Sequence, residues 1–152
     1  MPSDPPQIPN QPGAEPAVPE ANGLPVDAVE VRIPATPQHL SAVRAVAADL
    51  AMHQDMDLDS VDDLRLAVDE ACSTLVQLAA HGETLACRFT VQPAEIKVNA
   101  SVRSHSETGP STRGFSWQVL QTLTDHAVSE VSRHGGAYLV CIELTKRKPE
   151  PR

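Results

Sequence analysis

Aromatic residues are nearly missing from this chain. Two Phe, one Trp and one Tyr make up 3% of its 152 residues. A core without rings must be assembled from Val, Leu, Ile and Ala, and a hydrophobic content of 41% is enough for one such core. Positive charge is scarce as well: 12 Lys and Arg stand against 20 Asp and Glu, for a formal net charge of −8. Binding to a phosphate backbone needs clustered cations, so this balance argues against a direct nucleic-acid role. An acidic protein is instead steered towards a basic face of another protein. No apolar run approaches the ~20 residues that span a bilayer. The N-terminus has neither the basic nor the apolar region of a secretory signal. The expectation is a cytoplasmic chain with no membrane partner.

Cysteine is sparse, and its spacing excludes a zinc site. Cys72, Cys87 and Cys141 are far apart and form no CxxC pair. They read as reduced, mostly core thiols. The six histidines make no i, i+4 pair and no HExxH pattern, so they read as surface or capping residues. There is no internal repeat, and the length suits one domain.

Proline is plentiful but segregated. Eight of the fourteen prolines precede Ala28. Residues 1–27 lack apolar periodicity and read as a disordered or polyproline-like tail. Residues 28–146 carry the patterning of a folded domain, and 147–152 are a polar tail.

Within the domain, Val29, Val31 and Ile33 alternate with Glu30 and Arg32, which predicts a strand. Thr36-Pro37 reads as a helix start, followed by Leu40, Val43, Ala47 and Leu50 at helical spacing to about Met52. The polar stretch 53–59 reads as a loop. Ser60 is the expected N-cap of the strongest helix, whose stripe is Val61, Leu64, Val68, Ala71, Leu75 and Leu78. Two strands at about 85–91 and 96–102 flank Pro93-Ala94 as a hairpin. A patternless segment, 103–113, leads to a third helix after Gly114, and strands at 128–132 and 137–145 close the chain. The order predicts a two-layer α/β sandwich, one sheet with helices on one face.

The segment DLRLAVDEACSTLVQLA, Asp63–Ala79, resembles the helix that carries the first nucleotide box of the RsbW-like anti-sigma kinases. Asp63, Leu64, Ala67, Val68, Glu70 and Ala71 match in register. The resemblance extends over about 29–144. It implies the Bergerat-type histidine-kinase/Hsp90-like ATPase fold, with a mixed sheet, and ATP and Mg²⁺ as cofactors. By the same resemblance Glu70 falls on a general base, a role that suits a carboxylate beside an in-line phosphate. Thr74 falls on an Mg²⁺-ligating Asn. Ser101 falls on an Asp that accepts from the adenine amino group, and its loss removes a term of roughly 1.5–3 kcal/mol. Gly114 is kept from a Gly-x-Gly turn whose second glycine is here Ser116. Arg44 matches an Arg that contacts an acidic group on a sigma factor, a task suited to the guanidinium fork. Without the resemblance, Asp69 and Glu70 read as the solvated face of an amphipathic helix, Gly114 as a turn residue, Trp117 as a packed anchor and Arg44 as a surface residue.

Two functions follow. The first is an anti-sigma factor that sequesters an alternative stress-response sigma factor, is released by an anti-anti-sigma protein, and acts as a homodimer. Its contacts would centre on Arg44 and the loop 53–59. In this reading the nucleotide site is degenerate, because three contacts are altered. The second is an active serine/threonine kinase acting on the anti-anti-sigma protein, with Glu70 as base.

Overall fold

A computed structural model describes residues 28–150. The expected tail at 1–27 and residues 151–152 lie outside this range. The described chain forms strand β1 (Ala28–Pro34), helix α1 (Leu40–His53), helix α2 (Leu58–Leu78), β2 (Thr84–Gln92), β3 (Glu95–Ser104), helix α3 (Phe115–Leu123), β4 (His126–His134) and β5 (Ala137–Arg147). The five strands make one sheet in the order β1-β2-β3-β5-β4.

Every neighbouring pair is antiparallel. The sheet is therefore not mixed, contrary to expectation. The reason is topological. β3 and β4 point the same way, as strands joined through a helix do, but β5 returns between them and pairs with both. Pro93 and Ala94 form the two-residue turn between Gln92 and its partner Glu95. The β4–β5 turn uses Gly135 at φ 61°, a left-handed conformation that costs glycine little.

Strand alternation divides the sheet into two faces. Phe89, Val98, Ala100, Ile142 and Leu144 face the helices and are at most 1% exposed. From α2, Leu64, Val68 and Leu75 meet them, each fully buried. Each of these side chains except Ala100 contributes about 1.5–3 kcal/mol of burial. The core is aliphatic, as the composition required. Of the aromatics, Phe89 and Trp117 enter it, whereas Phe115 stays 80% exposed.

Helix α2 begins earlier than its apolar stripe suggests. Its N-cap is Asp57, not Ser60: the Asp57 carboxylate accepts from the Ser60 backbone N–H at 2.7 Å. Ser60 is instead buried inside the first turn. Hydrogen bonding from the Ser60 side chain, then from its backbone N–H, holds the Asp57 carboxyl below its ordinary range. Thr36 does precede a short 3₁₀ turn with Pro37 at its first position, but its hydroxyl makes no capping bond.

Candidate functional site

Helix α2 separates two side-chain groupings. Asp69 points towards α1, where its Oδ1 accepts from Arg44 Nη1 at 2.9 Å. Glu70 and Thr74 are one turn apart on the α3 side. Thr74 Oγ1 donates to the Glu70 backbone carbonyl at 2.9 Å and lies 3.1 Å from Ser116 Oγ. A hydroxyl has one hydrogen, so with Thr74 committed to that carbonyl, Ser116 is the donor to Thr74. The Glu70 carboxylate is half-buried and has no hydrogen-bond or ion-pair partner among the described residues.

Helix α3 runs antiparallel to α2 and is fastened at both ends. Ser116 holds its first turn to Thr74. At the other end Lys146 Nζ donates to the Leu123 carbonyl at 3.1 Å and to Asp63 Oδ2 at 3.3 Å. A cation on a last-turn carbonyl also complements the helix dipole.

Gly114 is the residue before α3, with φ −87° and ψ 173°, an extended backbone open to any residue. A Cβ there would meet Ser111 Oγ at 3.6 Å, an ordinary contact. The glycine thus provides no close-approach cradle. Gly109 does have a steric reason: a Cβ would lie 2.6 Å from Val131 Cγ2.

Ser101 is not with this group. It pairs with Ala86 and Cys141 and lies on the sheet face away from the helices, 2% exposed. Odd-numbered residues of β3 point that way, whereas Val98, Ala100 and Val102 point to the helices. The serine on the helix side at that end of β3 is Ser104, 1% exposed, whose Oγ accepts from the Ser106 N–H at 3.1 Å. The structure therefore brings together Glu70, Thr74, Gly114 and Ser116, sets Arg44 on the opposite flank of α2, and excludes Ser101. The sequence reading missed Asp69 as the partner of Arg44 and Ser104 as the inward serine. Strand parity counted from Val98 would have found Ser104. No local pattern reveals Asp69.

The thiols are quiet. A hydrogen bond with Cys72, together with burial, pushes the Cys87 thiol well above its usual range. Burial, then Glu130 and Glu143, raises Cys141 to about 11. All six histidines are exposed. Among the described residues no three His, Cys, Asp or Glu side chains cluster to hold a metal ion, and no helix is long and apolar enough to cross a membrane.

A five-stranded antiparallel sheet with helices on one face is an arrangement compatible with a histidine kinase-like ATPase domain. The family model of that description matches residues 33–142, and the chain belongs to this family. Within it the chain is RsbW-like. It is 36% identical over 104 residues to the anti-sigma-F factor RsbW of Mycobacterium tuberculosis, covering 66% of this chain and 60% of that protein. It is 27% identical over 144 residues to the serine-protein kinase RsbW of Bacillus pumilus, covering 80% and 86%. The chain thus spans about three-fifths of the length of the mycobacterial relative. A crystal structure of the RsbU and RsbW domains of a Mycobacterium tuberculosis protein shares the fold, with a TM-score of 0.54 at 19% identity, over 84% of this chain and 34% of that one.

Proposed function

We propose that this protein is an anti-sigma factor that works by contact. It sequesters an alternative stress-response sigma factor in the cytoplasm and releases it when an anti-anti-sigma protein competes. The RsbW-type relatives support this reading, one of them named for the anti-sigma role. In this reading Arg44 is the sigma contact, held at the α1–α2 surface by Asp69, and the working unit is a homodimer.

The observation that carries the nucleotide-independent form is the Thr74–Ser116 contact. ATP and Mg²⁺ do not fit the residues present. The Thr74 hydroxyl would have to leave both the Glu70 carbonyl and Ser116 to face a cation. Ser101 is on the other side of the sheet, so it cannot be the adenine acceptor and carries no weight either way. Gly114 lies in a backbone that forms no cradle for phosphate.

The kinase reading retains one specific support, the half-buried carboxylate of Glu70, one turn from Thr74 and unpartnered among the described residues. A calorimetric titration with Mg·ATP, repeated with purified alternative sigma factors of the host, separates the two. The proposal expects no nucleotide heat up to about 1 mM and sigma affinity unchanged by ATP. Micromolar nucleotide binding would put the kinase reading first.

A further inference from the structure

The domain is open at the end where α1 hands over to α2. β1 begins at Ala28, opposite Thr90, but β2 continues to Gln92, so Val91 has no β1 neighbour among the described residues. Val91, Leu50 of α1 and the 40%-exposed Val29 line a concavity of about 630 Å³. A second concavity, of about 560 Å³, lies between the α1–α2 turn, the β2–β3 turn and residues 148–150. Pro93 lines both, so the two adjoin. Their walls are fastened. Gln54 Nε2 donates to the Gln92 carbonyl at 3.1 Å, and the Lys148 N–H donates to the Ala94 carbonyl at 2.7 Å.

The rim of this double groove is acidic. Asp49, Asp55, Asp57 and Glu150 line it against one cation, Lys148. His53, 3.5 Å from Asp49, is the other titratable group of the lining. Nearby Lys146 is engaged by Asp63 and the Leu123 carbonyl. Leu58, next to Asp57 in the first turn of α2, is 78% exposed. Apolar surface inside an acidic border suits an occupant that is both apolar and cationic. The chain itself supplies none. Residues 1–27 hold Asp4, Glu15, Glu20 and Asp27 and no Lys or Arg, and a second copy brings a further net charge of −8. Both meet the rim with like charge. A nucleic acid does so as well.

We propose that this groove docks a basic amphipathic segment of another protein. Apolar side chains of the segment sit on Val29, Leu50 and Val91, and its Lys or Arg side chains face Asp55, Asp57 and Glu150. The groove lies at the N-terminal end of α2, whereas Thr74 and Ser116 meet near the C-terminal end. It is also distinct from the Arg44–Asp69 pair. The inference rests on the anti-sigma reading only for which protein supplies the segment.

A titration of the ¹⁵N-labelled full chain, followed by NMR, tests this without any sigma factor, so its failure leaves that reading standing. The probe is a synthetic peptide of about 14 residues, roughly four turns, with Leu and Lys at amphipathic helical spacing. It should shift the amide signals of Val29, Leu50, Val91 and Lys148. A peptide with Gln in place of Leu should bind about tenfold more weakly or worse, having lost its apolar anchors. One with Glu in place of Lys should not bind up to about 1 mM. Asp55→Asn with Glu150→Gln should weaken the Leu/Lys peptide about three- to fivefold and flatten its salt dependence. Asn tolerates the left-handed backbone of Asp55, at φ 57°. Val29→Thr should weaken binding at unchanged salt dependence, and Glu107→Gln, an exposed acid outside the groove, should change nothing. No binding of the Leu/Lys peptide, shifts confined to other surfaces, or an equal loss in Glu107→Gln would each overturn the proposal. So would groove signals that move on dilution of the protein alone, which would give the site to a second copy. Nuclear Overhauser contacts from residues 1–27 to Leu50 or Val91 would give it to the chain's own segment and overturn it equally.

Discussion

Ser116 Oγ lies 3.1 Å from Thr74 Oγ1, joining the first turn of α3 to the last quarter of α2 across 42 residues of sequence. The RsbW-like resemblance places both residues at positions that would otherwise serve a nucleotide. Here they serve each other, and the contact closes one end of the α2–α3 interface while Lys146 closes the other.

Thr74→Val and Ser116→Ala should therefore each destabilise the fold by about 0.5–1.5 kcal/mol. Their double variant should fall short of the sum by at least ~0.5 kcal/mol, because both remove the same bond. Urea unfolding of the four proteins measures this. Strict additivity would show that the two hydroxyls are not coupled.

Arg44 and Asp69 test the contact reading of function. Their pair is about one-third exposed, so breaking it should cost less than ~1 kcal/mol of stability. Arg44→Glu should nonetheless weaken sigma binding at least tenfold, a loss of about 1.4 kcal/mol or more. Glu70→Ala should leave that affinity unchanged. A binding assay in which Glu70→Ala fails and Arg44→Glu does not would reverse the assignment.

Asp57 makes the acid limb of stability predictable in sign. Its carboxyl is held below the ordinary range by the Ser60 bonds at the head of α2. The stability it supplies is complete above the unfolded value, ~3.9, and is lost as pH falls through the lower folded value. Asp57→Asn keeps a capping acceptor but cannot titrate, so its thermal midpoint should fall less than wild type between about pH 4 and pH 2. Asp57→Ala should lower the midpoint already at neutral pH. Parallel acid limbs in wild type and Asp57→Asn would remove the cap from the explanation.

Gly109 and the thiols complete the set. Gly109→Ala places a methyl group against Val131 and should cost about 1–3 kcal/mol as overpacking, read as a shift in denaturant midpoint at constant slope. Cys141, at about 11, should react with iodoacetamide at pH 8 on the order of 100-fold more slowly than an ordinary thiol near 8.5. Cys72 and Cys87, both buried, should react only on unfolding.

Much of this architecture is readable in one dimension because its causes are local. Alternation in 85–91 and 96–102 specifies a half-buried hairpin, and the Leu64-Val68-Ala71-Leu75 stripe specifies which side of α2 meets the sheet. The start of α2 was misplaced because the apolar stripe marks where burial begins, whereas the helix begins at its cap. Asp57 caps a first turn whose Leu58 is 78% exposed, so periodicity had nothing to count there.

By itself the sequence determined the aliphatic core, the single layer of helices and the family, while the resemblance only assigned Glu70, Thr74 and Ser116 to site positions. Each of these depends on residue type and on spacing along one element. The tertiary structure alone decided what those residues do with one another. It turned Ser101 away from the helices and Ser104 towards them, gave Arg44 to Asp69, and set Ser116 on Thr74. The reason is physical. A strand shifted by one residue changes faces, and a hydrogen bond between helices depends on how their axes are placed, which only the packed core establishes.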